Sequence, residues 1–298
     1  MYIGRFAPSP TGPLHFGSLV AAVASYCDAR KNHGKWLLRM EDLDRPRTDR
    51  GAADTILQQL ESFGFEWDGP VVYQSQRDSF YNEALETLNA KQLIYPCTCT
   101  RKEIADSSTN IGIEGVIYPG TCLQQPIKPD APIAWRIKTD SIKISFKDAI
   151  QGEISQNLQF DIGDFILKRA DGLFAYQLAV VVDDAAQGIT NIVRGADLLD
   201  STPRQIYLQK QLNYLQPQYA HIPVASNAAG EKLSKQTLAA PIDTFKTSIQ
   251  LIQALHFLGH TPPASLVNED QHIIWQWAFS NWQLSKIPQS KTLQLISA

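Results

Sequence analysis

The segment that decides the fold lies near the amino terminus and reads Arg5-Phe6-Ala7-Pro8-Ser9-Pro10-Thr11-Gly12-Pro13-Leu14-His15-Phe16-Gly17-Ser18. A short apolar stretch, a loop stiffened by prolines and the start of a helix follow one another here. The amide groups at a helix amino terminus are unpaired, and the helix dipole favours anions there. The segment therefore indicates a strand–loop–helix unit that binds an anion, although His15 taken alone is more typical of a polar residue on a rigid surface turn.

Strand and helix patterns alternate along most of the chain. In the first hundred residues the predicted strands and helices occupy 2–7, 17–31, 35–40, 49–63, 71–73, 77–90 and 94–96. The alternation stops between 97 and 171, where a capping box at Thr100 and Glu103 predicts a short helix and 142–146 predicts antiparallel strands. It resumes near 176, and the chain is mainly helical after 241. Because repeated strand–helix–strand units build parallel sheets, we expect an α/β fold with an insertion.

The composition is that of a globular protein that can bury a core. Of the 298 residues, 44% are hydrophobic and 19% are charged, which excludes disordered, collagen-like and disulfide-scaffold classes. No apolar run approaches the roughly 18 residues that span a bilayer, and the amino terminus lacks a signal-peptide pattern. We therefore expect a cytoplasmic protein with no membrane partner. The net charge of −3 confines any contact with nucleic acid to a local site.

A second polar loop contains two lysines three residues apart. It reads Gly230-Glu231-Lys232-Leu233-Ser234-Lys235-Gln236. Ammonium groups on such a loop can lie where negative charge builds as pyrophosphate leaves a nucleotide. The loop lacks the glycine pattern of the common phosphate-binding loop, and this lysine spacing is also typical of a solvated surface loop. By itself the loop leaves both interpretations open.

Three of the four cysteines have the spacing of a metal site. Cys97 and Cys99 are separated by one residue, and Cys122 follows with Tyr118 four residues before it. In a reducing compartment such cysteines are metal ligands or core residues before they are disulfides, and this spacing suits tetrahedral zinc at a structural site. No histidine lies nearby, so a phenolate or a water would complete the shell. Cys27 lies on the apolar face of a helix and is a core residue.

Together, the two loops resemble the signature motifs of the class I aminoacyl-tRNA synthetases. The resemblance rests on a proline-rich turn that ends in His-x-Gly after the first strand and on Lys-Leu-Ser-Lys after the last strand. Segments 38–44, 193–197 and 201–205 are similar to the glutamyl-tRNA synthetase branch of that class. The motifs are separated and stand in the expected order from residue 2 to about 236, so the resemblance covers most of the chain.

The chain length sharpens this resemblance. Only 62 residues follow Gln236, which leaves no room for the large helical anticodon-binding domain of full glutamyl-tRNA synthetases. We therefore expect a member of the truncated group in that branch, the glutamyl-queuosine tRNA(Asp) synthetases, which 174–184 also resembles. The resemblance implies a Rossmann-type parallel sheet, a zinc-containing insertion, a short helical carboxyl-terminal region and no anticodon-binding domain. The implied parts are the first half of the catalytic domain at 1–96, the insertion at 97–171, the second half at 172–240 and the helical region at 241–298.

The same resemblance implies a reaction and its partners. It implies tRNA-independent activation of L-glutamate by ATP, with Mg²⁺, and transfer of glutamate to the queuosine base at the wobble position of tRNA(Asp). The enzyme would be a ligase and a monomer. One alternative is an ordinary glutamyl-tRNA synthetase that charges tRNA(Glu), which the missing anticodon domain argues against. The other is a catalytically inactive paralogue that binds nucleotide or RNA, which the presence of His15, Glu41, Arg194 and Lys235 argues against.

The chemistry of glutamate predicts its pocket. Two carboxylates and one ammonium need fixed cations and at least one carboxylate, and the planar guanidinium groups of Arg5 and Arg194 suit carboxylates. Glu41 ends the second strand, where α/β sheets bind ligands, and suits the ammonium. A surface pairing of Glu41, Asp42 and Asp44 with Arg39 and Arg45 is the alternative. In the resembling enzymes the glutamate-binding positions match Arg5, Phe6, Ala7, Pro8, Ser9, Glu41, Tyr176 and Arg194.

The resemblance also assigns the nucleotide and metal sites. The positions implied to bind ATP are His15, Gly17, Ser18, Lys232, Ser234 and Lys235. Of these, His15 and Lys235 would act in catalysis by stabilising the transition state. Tyr118 would be the fourth zinc ligand beside Cys97, Cys99 and Cys122. Gln236 departs from the serine or threonine that ends the lysine motif in the family, which puts the closing geometry of that loop in doubt.

Two further features are interpreted as structural. Trp275, Phe279 and Trp282 follow helical spacing and predict a packed helix face. Asp183 and Asp184 could bind magnesium, but carboxylates at the end of an element more often form caps or ion pairs. They are therefore left out of the predicted site.

Overall fold

The structure is a computed structural model that describes residues 1–44, 48–49, 51–227 and 240–295. The elements of its first part are β1 (Ile3–Phe6), α1 (Phe16–Lys31), β2 (Lys35–Met40), α2 (Ala52–Ser62), β3 (Val72–Tyr73), α3 (Asp78–Ala90) and β4 (Ile94–Cys97). The strands and helices predicted here are confirmed with shifted ends; α2, for example, begins at Ala52 instead of residue 49. The side chain of His15 accepts a hydrogen bond from the backbone N–H of Ser18 and so caps α1.

The middle of the chain forms an insertion of short elements. They are α4 (Arg101–Ser107), β5 (Ile111–Gly112), β6 (Gly115–Val116), α5 (Thr121–Gln124), β7 (Ala134–Ile137), β8 (Lys143–Asp148), β9 (Gly152–Asn157), α6 (Leu158–Asp161) and β10 (Phe165–Lys168). The capping box of Thr100 and Glu103 is present at α4, and β8 pairs with β9 in antiparallel fashion, so both predictions are confirmed.

One prediction for this region is wrong. The strand at 94–96 does not continue the parallel alternation, because β4 pairs with β7 in antiparallel fashion, with Ile94 opposite Ile137. β7 in turn pairs with β10 to complete a three-stranded antiparallel sheet. The apolar pattern of a strand indicates that it is buried but does not specify its neighbour. The partner of β4 comes from a later part of the chain.

The second half of the parallel sheet and the carboxyl-terminal region complete the fold. Their elements are α7 (Tyr176–Ala186), β11 (Asn191–Gly195), α8 (Thr202–Leu212), β12 (Gln218–Ile222), β13 (Val224–Ser226), α9 (Thr247–Phe257), α10 (Gln271–Asn281) and β14 (Thr292–Gln294). The expected helices after residue 241 are confirmed as α9 and α10. The strand β14, which pairs in parallel with β13, is not predicted, because three residues are too few to carry a periodic pattern.

The parallel strands create a crevice at the centre of the sheet. β1 pairs with β2, β2 with β3, and β11 with β12, all in parallel. The backbone N–H of Thr190 donates to the carbonyl oxygen of Ile3 at 2.9 Å, which brings β11 beside β1. The strand order therefore reverses between β1 and β11, and α/β sheets bind ligands outside the carboxyl ends of the strands at such a point. The α/β fold with a parallel sheet is confirmed.

Helices cover the parallel strands, and α1 contacts both α9 and α10. The predicted packed face of α10 is confirmed, since Trp275 and Trp282 are buried and Phe279 packs against the same core. Their indole groups also find partners: Trp275 Nε1 donates to the carbonyl oxygen of Phe63 and Trp282 Nε1 to Asp28 Oδ1, each at 3.0 Å. Among the described residues, no helix is long and apolar enough to cross a membrane.

Candidate active site

Charged residues converge at the carboxyl ends of the central strands. Arg5 stands in β1 and Arg194 in β11, both buried, while Glu41 follows β2 directly and Tyr176 begins α7. Burial raises the pKa of the Glu41 carboxyl, and the guanidinium groups of Arg39 and Arg5 oppose that rise. Burial also raises the pKa of the Tyr176 hydroxyl, together with the charge of Glu41. The structure thus brings the predicted arginines, carboxylate and tyrosine together at the crevice.

Two of the three side-chain nitrogen atoms of Arg194 donate to neighbouring residues, and the third has no partner among the described residues. Its Nε donates to His221 Nε2 at 3.0 Å, and its Nη2 donates to Thr202 Oγ1 and to Gln205 Oε1, each at 2.8 Å. Within the part of the chain that the structure describes, the buried Nη1 has no hydrogen-bond partner. A buried donor without a partner is costly. A carboxylate is the acceptor that a guanidinium group binds best.

Arg5 is held by a carboxylate of the protein itself. Its Nε and Nη2 donate to Asp184 Oδ1 and Oδ2 at 3.1 and 3.4 Å. Arg39 Nη2 donates to the same Oδ1 at 2.8 Å, and Arg39 also lies 3.4 Å from Glu41 Oε1. Burial acts against ionisation of Asp184, but the two arginines lower the pKa of its carboxyl. Asp184 is therefore an ionised group that orients Arg5 at the crevice.

Of the acidic segment, Glu41 pairs with Arg39 as the alternative predicted. Asp42 accepts hydrogen bonds from the backbone N–H and the hydroxyl of Ser75 at 2.8 and 2.6 Å, and Asp44 lies 3.6 Å from Arg169. These contacts are not with Arg39, because successive residues of an extended segment point to opposite sides; Arg45, the other predicted partner, lies outside the described residues.

The proline-rich loop lies against the segment that follows β2. The backbone N–H of Glu41 donates to the carbonyl oxygen of Pro8 at 3.0 Å, which joins the loop to the acidic position. Ala7 and Pro8 are half-buried and Ser9 is exposed, whereas Phe6 belongs to the core. At the end of the loop, Gly17 and Ser18 form the first turn of α1. Lys232, Ser234 and Lys235 lie outside the described residues.

The loop also places the ring of His15 at the amino terminus of α1. His15 Nδ1 accepts from the backbone N–H of Ser18 at 3.3 Å, and the Ser18 hydroxyl lies 3.2 Å from Nε2. The ring is therefore held beside the amide groups that favour an anion.

The predicted metal ligands form a second cluster, within the insertion. The sulfur atoms of Cys97, Cys99 and Cys122 lie within 4.8 Å of one another. The hydroxyl of Tyr118 lies 3.5 Å from the sulfur atoms of Cys97 and Cys99. Sulfur atoms around tetrahedral zinc are about 3.8 Å apart, given Zn–S bonds of about 2.3 Å. The three thiols are thus close enough to hold a metal ion.

A cation lies beside this cluster, and its thiols differ in acidity: burial raises the pKa of the Cys99 thiol to about 11. Arg136 Nε donates to Cys97 Sγ at 3.3 Å, and the guanidinium carbon lies 4.0 Å from the centre of the Tyr118 ring. Burial acts against ionisation of Cys122, but hydrogen bonds from Tyr118 and Thr98 lower the pKa of its thiol to about 7. Thiolates are the form in which cysteines bind metals.

Comparison with known proteins identifies the family. Residues 3–272 match the family described as "tRNA synthetases class I (E and Q), catalytic domain". The chain is 56% identical to the "Glutamyl-Q tRNA(Asp) synthetase" of Dechloromonas aromatica over 295 residues, which is 99% of this chain and 98% of that protein. The chain belongs to the glutamyl-Q tRNA(Asp) synthetase family. A second family member, from Neisseria meningitidis serogroup C, is 52% identical over 97% of this chain and 98% of its own length.

Solved structures agree with this family on the fold. The chain superposes on the glutamate-tRNA synthetase of Elizabethkingia anophelis with a TM-score of 0.81 at 23% identity, covering 99% of this chain and 68% of that one. The likeness supports the class I synthetase catalytic fold. The predicted membership of the glutamyl-queuosine group within that class is confirmed by the family relatives.

Asp183 and Asp184, left out of the predicted site as residues that form caps or ion pairs, do form ion pairs, and those of Asp184 reach the candidate site. Asp184 holds Arg5 and Arg39, and the neighbouring Asp183 accepts hydrogen bonds from Arg77 Nε at 2.5 Å and from the Tyr81 hydroxyl at 2.8 Å. One signal was available: the two aspartates end the apolar run of α7. Charged residues are almost never buried without partners. A carboxylate at the end of an apolar run therefore predicts a cationic partner elsewhere in the core.

Proposed function

We propose that the chain activates L-glutamate with ATP and transfers it to the queuosine base at the wobble position of tRNA(Asp). The names and the extent of its relatives support this reaction. The geometric observation that carries it is Arg194 Nη1, a buried donor that has no acceptor among the described residues. It lies in the group of Arg5, Glu41 and Tyr176, which offers the charges that glutamate needs.

Each charge of glutamate has a partner in this arrangement. Arg194 and Arg5 bind its two carboxylates, because both guanidinium groups are anchored by other residues and keep donors for a ligand. Glu41 accepts from the ammonium group, which also offsets the rise in the pKa of Glu41 that burial causes. The remaining residues proposed for this pocket are Phe6, Ala7, Pro8, Ser9 and Tyr176.

ATP binds at the start of α1 and the lysine loop in this proposal. A carboxylate oxygen of glutamate attacks the α-phosphorus of ATP, the bond to the bridging oxygen breaks, and pyrophosphate leaves with Mg²⁺, which neutralises its charge. His15 and Lys235 stabilise the transition state, and Gly17, Ser18, Lys232 and Ser234 bind the nucleotide. The protein forms no covalent bond to the substrates in this step, because catalysis at phosphorus depends mainly on positioning the reactants and stabilising charge.

Transfer follows without a nucleophilic side chain. A hydroxyl of queuosine attacks the carbonyl carbon of glutamyl-adenylate, the bond to the phosphate oxygen breaks, and AMP leaves. The ester forms on the base, and the 3′ end of the tRNA is not used.

The insertion holds one structural zinc ion in this proposal. Cys97, Cys99, Cys122 and Tyr118 are its ligands, and when bound the metal supplies folding energy to a segment rich in glycine and proline. We also propose that the chain acts as a cytoplasmic monomer, with 1–96 and 172–240 as the two halves of one catalytic domain, 97–171 as the insertion and 241–298 as a helical region.

Glutamate-dependent ATP–pyrophosphate exchange without RNA tests the first step. Exchange with glutamate alone is the expected result, because the truncated group of the family activates glutamate without tRNA. Silence without RNA, but exchange with tRNA(Glu), would indicate the ordinary synthetase. No exchange under either condition would indicate an inactive paralogue that binds nucleotide or RNA. Labelled glutamate offered to tRNA(Asp) with and without queuosine then tests the acceptor, and only the queuosine form should be labelled.

A further inference from the structure

A chain of three buried polar groups leads from the insertion to Arg194. Asp148 ends β8, His221 stands in β12 and Arg194 in β11, and their exposed fractions are 1%, 0% and 5%. Asp148 Oδ2 lies 2.6 Å from His221 Nδ1, and His221 Nε2 lies 3.0 Å from Arg194 Nε. Neither Asp148 nor His221 is among the residues proposed above to contact glutamate or ATP.

The protons of this chain have only one consistent arrangement. The Nε of arginine only donates, so His221 Nε2 must accept, and its proton must therefore be on Nδ1, which donates to Asp148. A doubly protonated ring would turn an N–H toward the N–H of Arg194. Burial, together with the charge of Arg194, lowers the pKa of His221 to about 4 despite the hydrogen bond to Asp148, so the ring is neutral near pH 7.

The carboxylate that selects this tautomer is itself fixed. Asp148 Oδ1 accepts backbone N–H groups from Ile150 at 3.0 Å, Gln151 at 2.8 Å and His221 at 3.1 Å. Three donors on one oxygen leave Oδ2 as the atom that faces the imidazole. Gln151 Nε2 also donates to the carbonyl oxygen of His221 at 2.8 Å, which ties the turn after β8 to β12.

We propose that Asp148 and His221 are positioning residues for amino-acid binding, because together they hold the Arg194 guanidinium so that Nη1 is presented to a carboxylate of the substrate. The inference rests on the proposed function, in which Arg194 binds glutamate. It makes the insertion part of the amino-acid site: Asp148 comes from the β8–β9 hairpin, whereas Arg194 and His221 come from the parallel sheet.

Asp148→Asn is the variant that tests this directly. The three backbone N–H groups keep the amide oxygen in the place of Oδ1, so the amide NH₂ takes the place of Oδ2 and donates to His221 Nδ1. The imidazole proton then moves to Nε2. Two N–H donors, from His221 and Arg194, then face each other and the hydrogen bond between them is lost. We expect the KM for glutamate in pyrophosphate exchange to rise at least about tenfold, the effect of disturbing one hydrogen bond to a charged group, with the KM for ATP unchanged.

Asp28→Asn is the matched control. Asp28 is also a buried carboxylate with two side-chain donors, Tyr2 and Trp282, but it lies at the opposite end of the sheet. A glutamate KM that rises in Asp148→Asn and not in Asp28→Asn supports the proposal. An unchanged glutamate KM in Asp148→Asn overturns it, provided that the wild-type protein activates glutamate. A wild-type protein that does not activate glutamate contradicts the proposed function instead.

A double mutant separates positioning from general loss of stability. Arg194→Lys removes the Nε group that donates to His221. In that background, Asp148→Asn should raise the glutamate KM by less than about twofold. Full additivity of the two effects would mean that Asp148 does not act through Arg194 and would overturn the proposal.

Nitrogen NMR of the histidine rings covers the case in which Asp148→Asn does not fold. In the wild-type protein, His221 should show a protonated Nδ1 and an unprotonated Nε2 at pH 7. The opposite tautomer, or a doubly protonated ring, would overturn the proposal whatever the activity of any variant.

Discussion

At the scale of single residues, the proposed glutamate site depends on buried charges that neutralise one another. Asp184 shares its carboxylate between Arg5 and Arg39, and Arg39 in turn donates to Gln187 Oε1 at 2.6 Å. Removing one partner of a buried ion pair is strongly destabilising, because it leaves an uncompensated charge in the core. The same ion pairs hold Arg5 in the orientation that the proposed ligand needs.

Asp184→Asn should therefore affect both stability and binding. Loss of the negative charge removes the carboxylate that pairs with Arg5 and leaves Arg39 with only Glu41 and Asp183 as counter-ions. We expect the free energy of unfolding to fall by about 3 kcal/mol. The KM for glutamate should rise because Arg5 is no longer held. Urea denaturation and pyrophosphate exchange measure the two effects.

Asp171→Asn is the control for this change. Asp171 pairs with Arg169 at the surface, and exposed pairs contribute less than about 1 kcal/mol. Equal stability losses in the two variants would contradict the argument that burial gives Asp184 its role.

At the scale of elements, the thiol cluster joins pieces that are too short to be stable alone. Cys97 ends β4, Cys99 lies between β4 and α4, and Cys122 belongs to α5, a helix of four residues. Tyr118 adds a backbone link, since the N–H of Cys122 donates to its hydroxyl at 2.8 Å. Apolar contacts in this cluster involve few residues. A metal ion bound by these residues, as proposed, would therefore supply much of the free energy that folds the insertion.

Zinc content tests this assignment. The purified protein should contain one zinc ion per chain, and Cys122→Ser should lose most of it and unfold at a lower temperature, because a serine hydroxyl is a weak zinc ligand. The fourth cysteine provides the control: Cys27 is fully buried in the main core, so Cys27→Ala should keep the metal. Wild-type zinc content in Cys122→Ser would exclude the cluster as the site.

At the scale of the whole molecule, the carboxyl-terminal helices share one hydrophobic core with the parallel strands and α1. The ring of Trp275 lies 5.0 Å from that of Tyr26 in α1 and 4.9 Å from that of Phe65. Trp282 reaches Asp28, which also accepts from the Tyr2 hydroxyl. The helical region therefore packs on α1, the first helix of the parallel sheet.

Trp275→Ala should weaken the whole chain. Truncation of a buried tryptophan costs about 3–5 kcal/mol, and the loss should appear in the main unfolding transition because α10 and α1 share one core. Trp277→Ala on the same helix is the control, since that side chain is only partly buried, and its cost should be smaller. Denaturation followed by tryptophan fluorescence and circular dichroism measures both, and a separate early transition in Trp275→Ala would show that α10 unfolds independently.

Much of the fold and part of the candidate site could be predicted from local patterns. Strand and helix periodicity, the proline-rich segment around His15 and the spacing of Cys97, Cys99 and Cys122 are properties of short stretches. Each can be recognised in the sequence without knowing which residues it contacts in the folded chain. The predicted members of the glutamate pocket are also brought together, because strands of a parallel sheet present their carboxyl ends at one edge.

The partners of the buried charges could not be predicted in the same way. Asp184 lies 179 residues from Arg5, Asp148 lies 73 residues from His221, and His221 lies 27 residues from Arg194. No periodic pattern joins positions at such separations. The error at β4 has the same origin, because the choice of β7 as its neighbour depends on a segment that arrives later in the chain.

The sequence by itself determined the α/β class, the synthetase family and the chemical types of the groups at the proposed site, since periodicity and motif spacing are local properties of the chain. Only the tertiary structure decided which groups neutralise Arg5, which tautomer of His221 meets Arg194, and that β4 joins the antiparallel sheet. The physical reason is that a buried charge or donor must find its partner within about 3 Å in space, and distance in space is set by the packing of the whole molecule.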